Sequence, residues 1–404
     1  MGLPGIDDVV LTLEGKNPGD PHLVTVNCPD RMGLACDICR IILGYGLCIA
    51  KGDASTDGKW CYLVLWLVPH AVKFTRWSNL RDRLMSVCPS SCSVSFYLNQ
   101  PPPPQSAPPV YLLKILCFGR KGLLHDITEV LCEIELTIQR VKVTKTPDDR
   151  VIDLFFVTDN LEKLHTKRRQ EEVYELLRTV LGESSSCELL VAPSEYQCHQ
   201  DTCTLSPNIS EELLSSDAPQ DRKYCEITVD NSLSLAHTLL QIHCADHKGF
   251  IYDILRTMKD LDLKVAYGRF SPSKKGMREV DLFVQQKNGA KIVDLETQKR
   301  LRSRLEVEML HPLRVVIINR GPETELLVAN PVELSGRGRP RVFFDVTFAL
   351  KSLRICIFSA EIGRHSTADR EWEVYRFLLE DNAMLQLVTK AAIVEAVRRA
   401  LMGW

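Results

Sequence analysis

The chain of 404 residues sets 50 Lys and Arg against 52 Asp and Glu, a formal net charge of -2, with 45% hydrophobic and 25% charged residues. That length exceeds one ordinary core and suits two to four domains. The balanced charge offers no field for a polyanion, and no run of eighteen apolar residues occurs, so nucleic acid and membrane are not expected partners and a cytoplasmic or nuclear protein is.

In chain order, "LVTVN" from Leu23 predicts a strand, and the stretch Cys28-Pro29-Asp30-Arg31-Met32-Gly33-Leu34 a loop that opens a helix. Apolar spacing carries that helix from Gly33 to about Tyr45, where Gly44 and Gly46 close it. "LCIAKGDAS" and "WCYLVLWLV" predict strands joined by the turn Asp57-Gly58. An amphipathic stretch from about Phe74 to Val87 and a strand "CSVSFYL" complete the order βαββαβ.

The pattern recurs. Cys28, Gly33 and Asp37 share their spacing with Cys117, Gly122 and Asp126, and with Cys244, Gly249 and Asp253. Copy two reads "YLLKILC", a helix from Gly122, "LTIQRVKVTKT", "VIDLFFVT", a helix near Arg168 to Leu181 and "CELLVA". Copy three reads "TLLQIHC", a helix from Gly249, "LKVAYGRFS", "EVDLFVQQ", a helix near Leu295 to Leu310 and "LRVVIINR". A fourth, degenerate copy aligns Asp345 but places Arg341 at the glycine, and runs "ELLVAN", a helix near Val342 to Leu353, "RICIFSAEI", "REWEVYRFLL" and a final helix from about Ala392, with no closing strand. Copies three and four nearly touch, which predicts that they pack as a unit.

These residues resemble the ACT domain, a ferredoxin-like amino-acid-binding module marked by a strand, an Asp-x-x-Gly-Leu loop and a helix. Asp30-Arg31-Met32-Gly33-Leu34 and Asp246-His247-Lys248-Gly249-Phe250 carry the motif best. Four copies filling the chain resemble the plant ACT domain repeat proteins, and the run Gly363 to Thr367 with the truncated last copy resembles the branch of their ninth and tenth members. The resemblance implies kinship to the glutamine-sensing ACT region of bacterial uridylyltransferases, without the nucleotidyltransferase sequence that precedes it there. The expected architecture is α+β, four tandem ferredoxin-like modules at residues 20–99, 110–193, 236–320 and 321–404, separated by a Pro-rich linker at 100–109 and a polar linker at 194–235.

A helix that begins at Gly33 presents unpaired N–H groups and the positive end of its dipole, a seat for an α-carboxylate. Asp30 or Asp246 would accept the α-ammonium. The expected amino-acid-binding residues are therefore Asp30, Met32, Gly33 and Leu34, with Asp246, Lys248, Gly249 and Phe250; Gly122 and Leu123 are weaker candidates because Gly119 replaces the aspartate in copy two. The same turn can also cap a helix with no ligand bound. The expected function is a non-enzymatic amino-acid sensor, glutamine being the ligand that kinship implies, coupled to an unidentified protein partner or to ACT pairing within the chain or in a homodimer. The alternative is a ligand-free interaction scaffold. No cofactor, metal or catalytic residue is expected.

Fifteen cysteines, an odd number, predict reduced thiols rather than a disulfide framework. Cys36 and Cys39 fall on one helix and are expected in the core; Cys198, His199 and Cys203 form a weaker metal candidate. His125-Asp126 looks like the dyad of metal-dependent phosphohydrolases but lacks the outlying ligands, and His243 with His247 spans a strand end rather than a helix. "GRGRPR" from Gly336 and the triplet Lys167-Arg168-Arg169 are expected as solvated surface, with phosphate binding or nuclear import the alternative for the first.

Overall fold

Along His22–Pro29 the residues Val24, Val26 and Cys28 are buried and alternate with half-exposed neighbours, as period-two patterning requires of a sheet with one buried face. Leu34, Ile38 and Ile42 then repeat at helical spacing along Leu34–Gly44 and pack on that face. The computed structural model describes residues 9–13, 15, 17, 20–69, 76–89, 109–146, 148, 150–161, 163–182, 184–193, 205–214, 224–273, 276–320, 323–380 and 383–403.

Copy one contains β1 (Val10–Leu13), β2 (His22–Pro29), α1 (Leu34–Gly44), β3 (Leu47–Thr56), β4 (Trp60–Pro69) and α2 (Trp77–Val87). Copy two contains β5 (Val110–Phe118), α3 (Leu123–Glu133), β6 (Leu136–Lys145), β7 (Arg150–Asp159), α4 (Lys167–Leu181) and β8 (Ser186–Val191). After a short helix α5 (Pro207–Leu214), copy three contains β9 (Cys225–Asp230), β10 (Thr238–Ala245), α6 (Phe250–Asp260), β11 (Leu263–Pro272), β12 (Met277–Gln286) and α7 (Leu295–Leu310). Copy four contains β13 (Arg314–Arg320), β14 (Glu323–Pro331), α8 (Val342–Ser352), β15 (Ile357–Ser366), β16 (Glu371–Leu379), α9 (Ala383–Leu387) and α10 (Lys390–Met402).

The copies pair alternately. Residues 1–104 and 216–312 form one unit, and residues 105–215 and 313–404 the other. The first holds an eight-stranded sheet in the order β1-β2-β4-β3-β11-β12-β10-β9, the second one in the order β13-β14-β16-β15-β6-β7-β5-β8. Copies three and four therefore do not pack as a unit, despite their proximity in sequence. Each sheet is joined at its centre by antiparallel edges, β3 with β11 and β6 with β15, which covers two strand edges that would otherwise lie open.

In copies one, three and four the strand beside the first sheet strand comes before it in the chain (β1, β9, β13), whereas copy two uses the following strand β8. Two expectations change. "LRVVIINR" belongs to copy four, because Arg320 pairs directly with Glu323 and a tight hairpin closes at less entropic cost than a return to β10. Copy four ends in a helix, as its sequence implies, and β13 fills the edge that a closing strand would occupy. The polar stretch 194–235 contributes α5 and β9: Leu205 and Leu213 bury against Ile318, Leu327, Ala329, Trp372 and Val374, and Cys225–Asp230 pairs with β10. "CSVSFYL", the Pro-rich stretch up to residue 108 and the Cys198, His199, Cys203 group lie outside the described residues.

Every copy carries a bulge in the strand after its first helix, at Ala50, Gln139, Ala266 and Phe358. The helices cover one face of each sheet, and fully buried Leu80, Leu84, Leu113 and Phe377 mark the two cores. Truncation of such a leucine to alanine costs about 2–5 kcal/mol.

Candidate functional site

The helices α1, α3 and α6 each start on a glycine in the left-handed region, Gly33 at φ 79°, Gly122 at 76° and Gly249 at 81°, and none of the three receives a side-chain cap. Arg341 opens α8 at φ 66°, so copy four keeps the geometry without the glycine. An L-residue there costs roughly 1–2 kcal/mol, which the stacking of the Arg341 guanidinium on the Phe344 ring partly offsets.

Each loop is folded back onto its helix by the aspartate of the repeat signature. Arg31 pairs with Asp37 at 2.6 Å, Arg120 with Asp126, and His247 Nε2 lies 2.9 Å from Asp253 Oδ2. In copies one and two the same carboxylate also receives a lysine from the paired copy. Lys259 Nζ on α6 donates to Asp37 Oδ1 at 3.0 Å, and Lys351 Nζ on α8 donates to Asp126 Oδ1 at 2.6 Å. The methylenes of these lysines lie over the glycines: a Cβ built on Gly33 would come within 2.9 Å of Lys259, and one on Gly122 within 3.0 Å of Lys351. Partial burial works against the charge on Asp126, but Lys351 and Arg120 hold its carboxyl below the ordinary range.

The two aspartates expected to accept an ammonium group are engaged by strands. Asp30 Oδ2 accepts from Thr56 Oγ1 at 2.7 Å, and Asp246 Oδ1 pairs with Arg278 Nε at 2.9 Å. Arg278 Nη1 also donates to the carbonyl of Ala50, the bulge of copy one, at 2.6 Å. Both loops of this unit therefore touch the other copy, loop one through Lys259 and loop three through Arg278. Met32 is 38% exposed beside loop one, whereas Leu34, Leu123 and Phe250 are buried under their helices as core and Lys248 is also buried.

Copy three encloses a charged cluster. Arg256, 1% exposed, pairs with Glu308 and lies 3.5 Å from Asp253 Oδ1, while Arg304 reaches Glu308 at 3.3 Å. Burial opposes the charge on Arg256, but Glu308 and Asp253 outweigh it and raise the guanidinium pKa further.

The remaining motifs resolve into structure. Cys36 and Cys39 are buried in the core of copy one. His125 is enclosed by Thr347, at 3.2 Å, and the rings of Phe344 and Phe348; burial first, then Lys351, lowers its pKa to about 4. Among the described residues no group of three or more His, Cys, Asp or Glu could hold a metal ion, and no helix is long and apolar enough to cross a membrane. The expectation of solvated surface fails for Arg339, which is buried and donates to the Leu401 carbonyl while its backbone N–H binds Asn330 Oδ1 at 3.0 Å. It fails also for Arg169, buried beside Asp159 and paired with Glu172 at 2.9 Å. Arg337 alone of the "GRGRPR" arginines is fully at the surface.

Lys259, Lys351 and Arg278 are absent from the residues that the sequence nominates. The two lysines stand at one repeat position, ten residues after Gly249 and Arg341, but copies one and two have Leu43 and Cys132 there, so nothing in the repeat marks the position. Their partners lie in another copy.

Family models match almost the whole chain: residues 105–189 and 226–323 match the ACR9-like, ACT-like domain, residues 324–403 the C-terminal model of ACT domain-containing protein ACR9, and residues 12–89 the N-terminal model of ACT domain-containing protein ACR10. ACT domain-containing protein ACR9 of Arabidopsis thaliana is 54% identical over 407 residues, covering 98% of this chain and 99% of the relative. ACT domain-containing protein ACR10 of the same plant is 48% identical over 414 residues, covering 98% of each. The bifunctional uridylyltransferase/uridylyl-removing enzyme of Rhodospirillum rubrum is 24% identical over 261 residues, 64% of this chain and 26% of that enzyme. With paired α+β repeats, a recurring left-handed glycine loop and two relatives similar from end to end, the chain belongs to the plant ACT domain-containing ACR family, in the branch of ACR9 and ACR10.

Proposed function

We propose that the chain is a non-enzymatic regulatory protein that binds a free amino acid at loops one and three and passes that occupancy to the paired copy. The residues involved are Asp30, Met32, Gly33 and Leu34 with Asp246, Lys248, Gly249 and Phe250. One observation carries this reading: each loop is tied to the other copy of its sheet, Gly33 under Lys259 and Asp246 to Arg278 and thence to the Ala50 carbonyl. Loop one brings Arg31, Lys259 and the N-terminal amides of α1 together with Asp30 and Asp37, charges of both signs suited to a zwitterion. A ligand that displaced Lys259 from Asp37 would exchange an intramolecular contact for its own. Only such a difference in affinity shifts an equilibrium between arrangements.

The test is a thermal-shift panel of amino acids, glutamine included, on the full-length chain, with calorimetry on the hits. The expected result is a selective shift that is lost in Asp30→Ala/Asp246→Ala, because a ligand specific to the folded state raises its stability. The rival reading, a scaffold with no small ligand, is favoured by one feature, the Lys259 methylenes already lying over Gly33. A flat panel at millimolar ligand would decide for it.

A further inference from the structure

None of the twelve described cysteines is disulfide-bonded. Two cross-strand pairs bring thiols together: Cys28 opposite Cys61, both buried, and Cys225 opposite Cys244, of which one reaches solvent. Cys225 on β9 and Cys244 on β10 are direct cross-strand partners. The next pair along, Tyr224 with Ala245, is a hydrogen-bonded one, since the Ala245 N–H donates to the Tyr224 carbonyl at 3.1 Å. Hydrogen-bonded and non-hydrogen-bonded pairs alternate in an antiparallel ladder, so Cys225 and Cys244 form a non-hydrogen-bonded pair, whose Cα atoms lie about 4.5 Å apart with the side chains closest. That separation falls within the roughly 4.4–6.8 Å range of disulfides. Cys244 is 1% exposed and Cys225 is half-exposed, so an oxidant reaches the pair through Cys225.

The analogous pair in copy two differs in register. There Cys187 is opposite Ile115, which leaves Cys117 on the diagonal, where Cα atoms lie about 7–8 Å apart and a disulfide cannot close without backbone movement.

We propose that Cys225 and Cys244 form a reversible cross-strand disulfide, a redox modification site that fastens the edge strand β9 to the strand leading into loop three. With an organic disulfide such as oxidised glutathione as oxidant, the Cys225 thiolate attacks one oxidant sulfur, whose S–S bond breaks and releases one glutathione thiolate. The Cys244 thiolate then attacks Cys225 Sγ and releases the second. The protein loses two electrons and two thiol protons; the oxidant gains both electrons, and the protons return to the two released thiolates. Cys244 lies two residues before Asp246, so the new bond holds the entry to that loop.

The experiment incubates the folded full-length chain in glutathione buffers of increasing oxidised fraction, quenches with acid, blocks remaining thiols with N-ethylmaleimide in denaturant and maps the peptides by mass spectrometry. The expected product is a Cys225–Cys244 linked peptide that disappears with dithiothreitol and with Cys225→Ser, and that persists in Cys117→Ser/Cys187→Ser. Recovery of Cys225 and Cys244 as separately blocked thiols, or as separate glutathione adducts, from the oxidised folded chain would overturn the proposal. So would an equal yield of the linked peptide from chain oxidised in urea, since the bond would then owe nothing to strand register.

Discussion

Lys259 of copy three donates to Asp37 of copy one across 3.0 Å, and its methylene chain lies over Gly33, the residue that opens the first helix. Lys351 repeats the arrangement on Asp126 and Gly122 in the other sheet pair. A single contact thus joins the loop of one copy to the helix of another.

Gly33→Ala places a Cβ on a backbone at φ 79° and against Lys259, and should cost about 1–2 kcal/mol. Lys259→Met keeps an unbranched apolar chain over the glycine and removes a half-buried ion pair, a loss of no more than about 1 kcal/mol. Equilibrium urea unfolding separates the two; equal losses would show that charge rather than backbone geometry dominates the contact.

The buried pair of Arg256 with Glu308 should behave as a unit. Arg256→Met alone removes the buried cation beside Glu308, leaving the partly exposed Arg304 at 3.3 Å, and should cost about 3 kcal/mol, whereas Arg256→Met/Glu308→Leu should recover most of that. The measurement is a double-mutant cycle on unfolding free energy. Additive losses would mean that the two charges are satisfied independently.

Two groups of copy two give opposite pH dependences. Asp153 stands where copies one and three have Leu63 and Val280, and burial raises its carboxyl from 3.8 to about 7. Its favourable contribution is complete below pH 3.8 and is lost as pH rises through about 7. His125 is lowered from 6.5 to about 4, so its contribution is complete above pH 6.5 and is lost as pH falls through about 4. At 1.36 kcal/mol per pKa unit the shifts correspond to about 4 kcal/mol for Asp153 and about 3 kcal/mol for His125. Asp153→Val should therefore leave a chain whose stability rises between about pH 4 and 6.5, and His125→Phe one whose stability falls between about pH 4 and 7. Urea midpoints across that range read the sign directly.

A methyl group at Gly338 would meet Asn330 Nδ2 and Glu373 Oε2 at 2.5 Å. Gly338→Ala should cost about 1–3 kcal/mol through the buried polar groups that it displaces, while Arg337→Ala, at the exposed position of the same motif, should leave the thermal midpoint unchanged. Loss of stability in Arg337→Ala would assign that arginine a contact on the fold.

The repeat was legible because its marks are local. Glycine at a left-handed helix start, an aspartate one turn on and alternating strands depend on neighbours within a few residues, so Gly33, Gly122 and Gly249 and the helices after them could be read from spacing alone. The edge strands were not legible. A short apolar run such as Cys225–Asp230 in a polar stretch, or Arg314–Arg320 between two copies, can serve the element on either side, and the nearer hairpin partner decides. The charges misread as surface, Arg169 and Arg339, become buried only because a carboxylate or carbonyl from another segment meets each of them.

The sequence by itself determined four copies, the βαββα order that they share and the three glycine loops, because backbone preference and hydrophobic period are properties of contiguous residues. Only the tertiary structure decided that copy one pairs with three and copy two with four. It placed Lys259 and Arg278 at loops remote from them in the chain, since edge pairing and ion pairing are chosen by proximity in space.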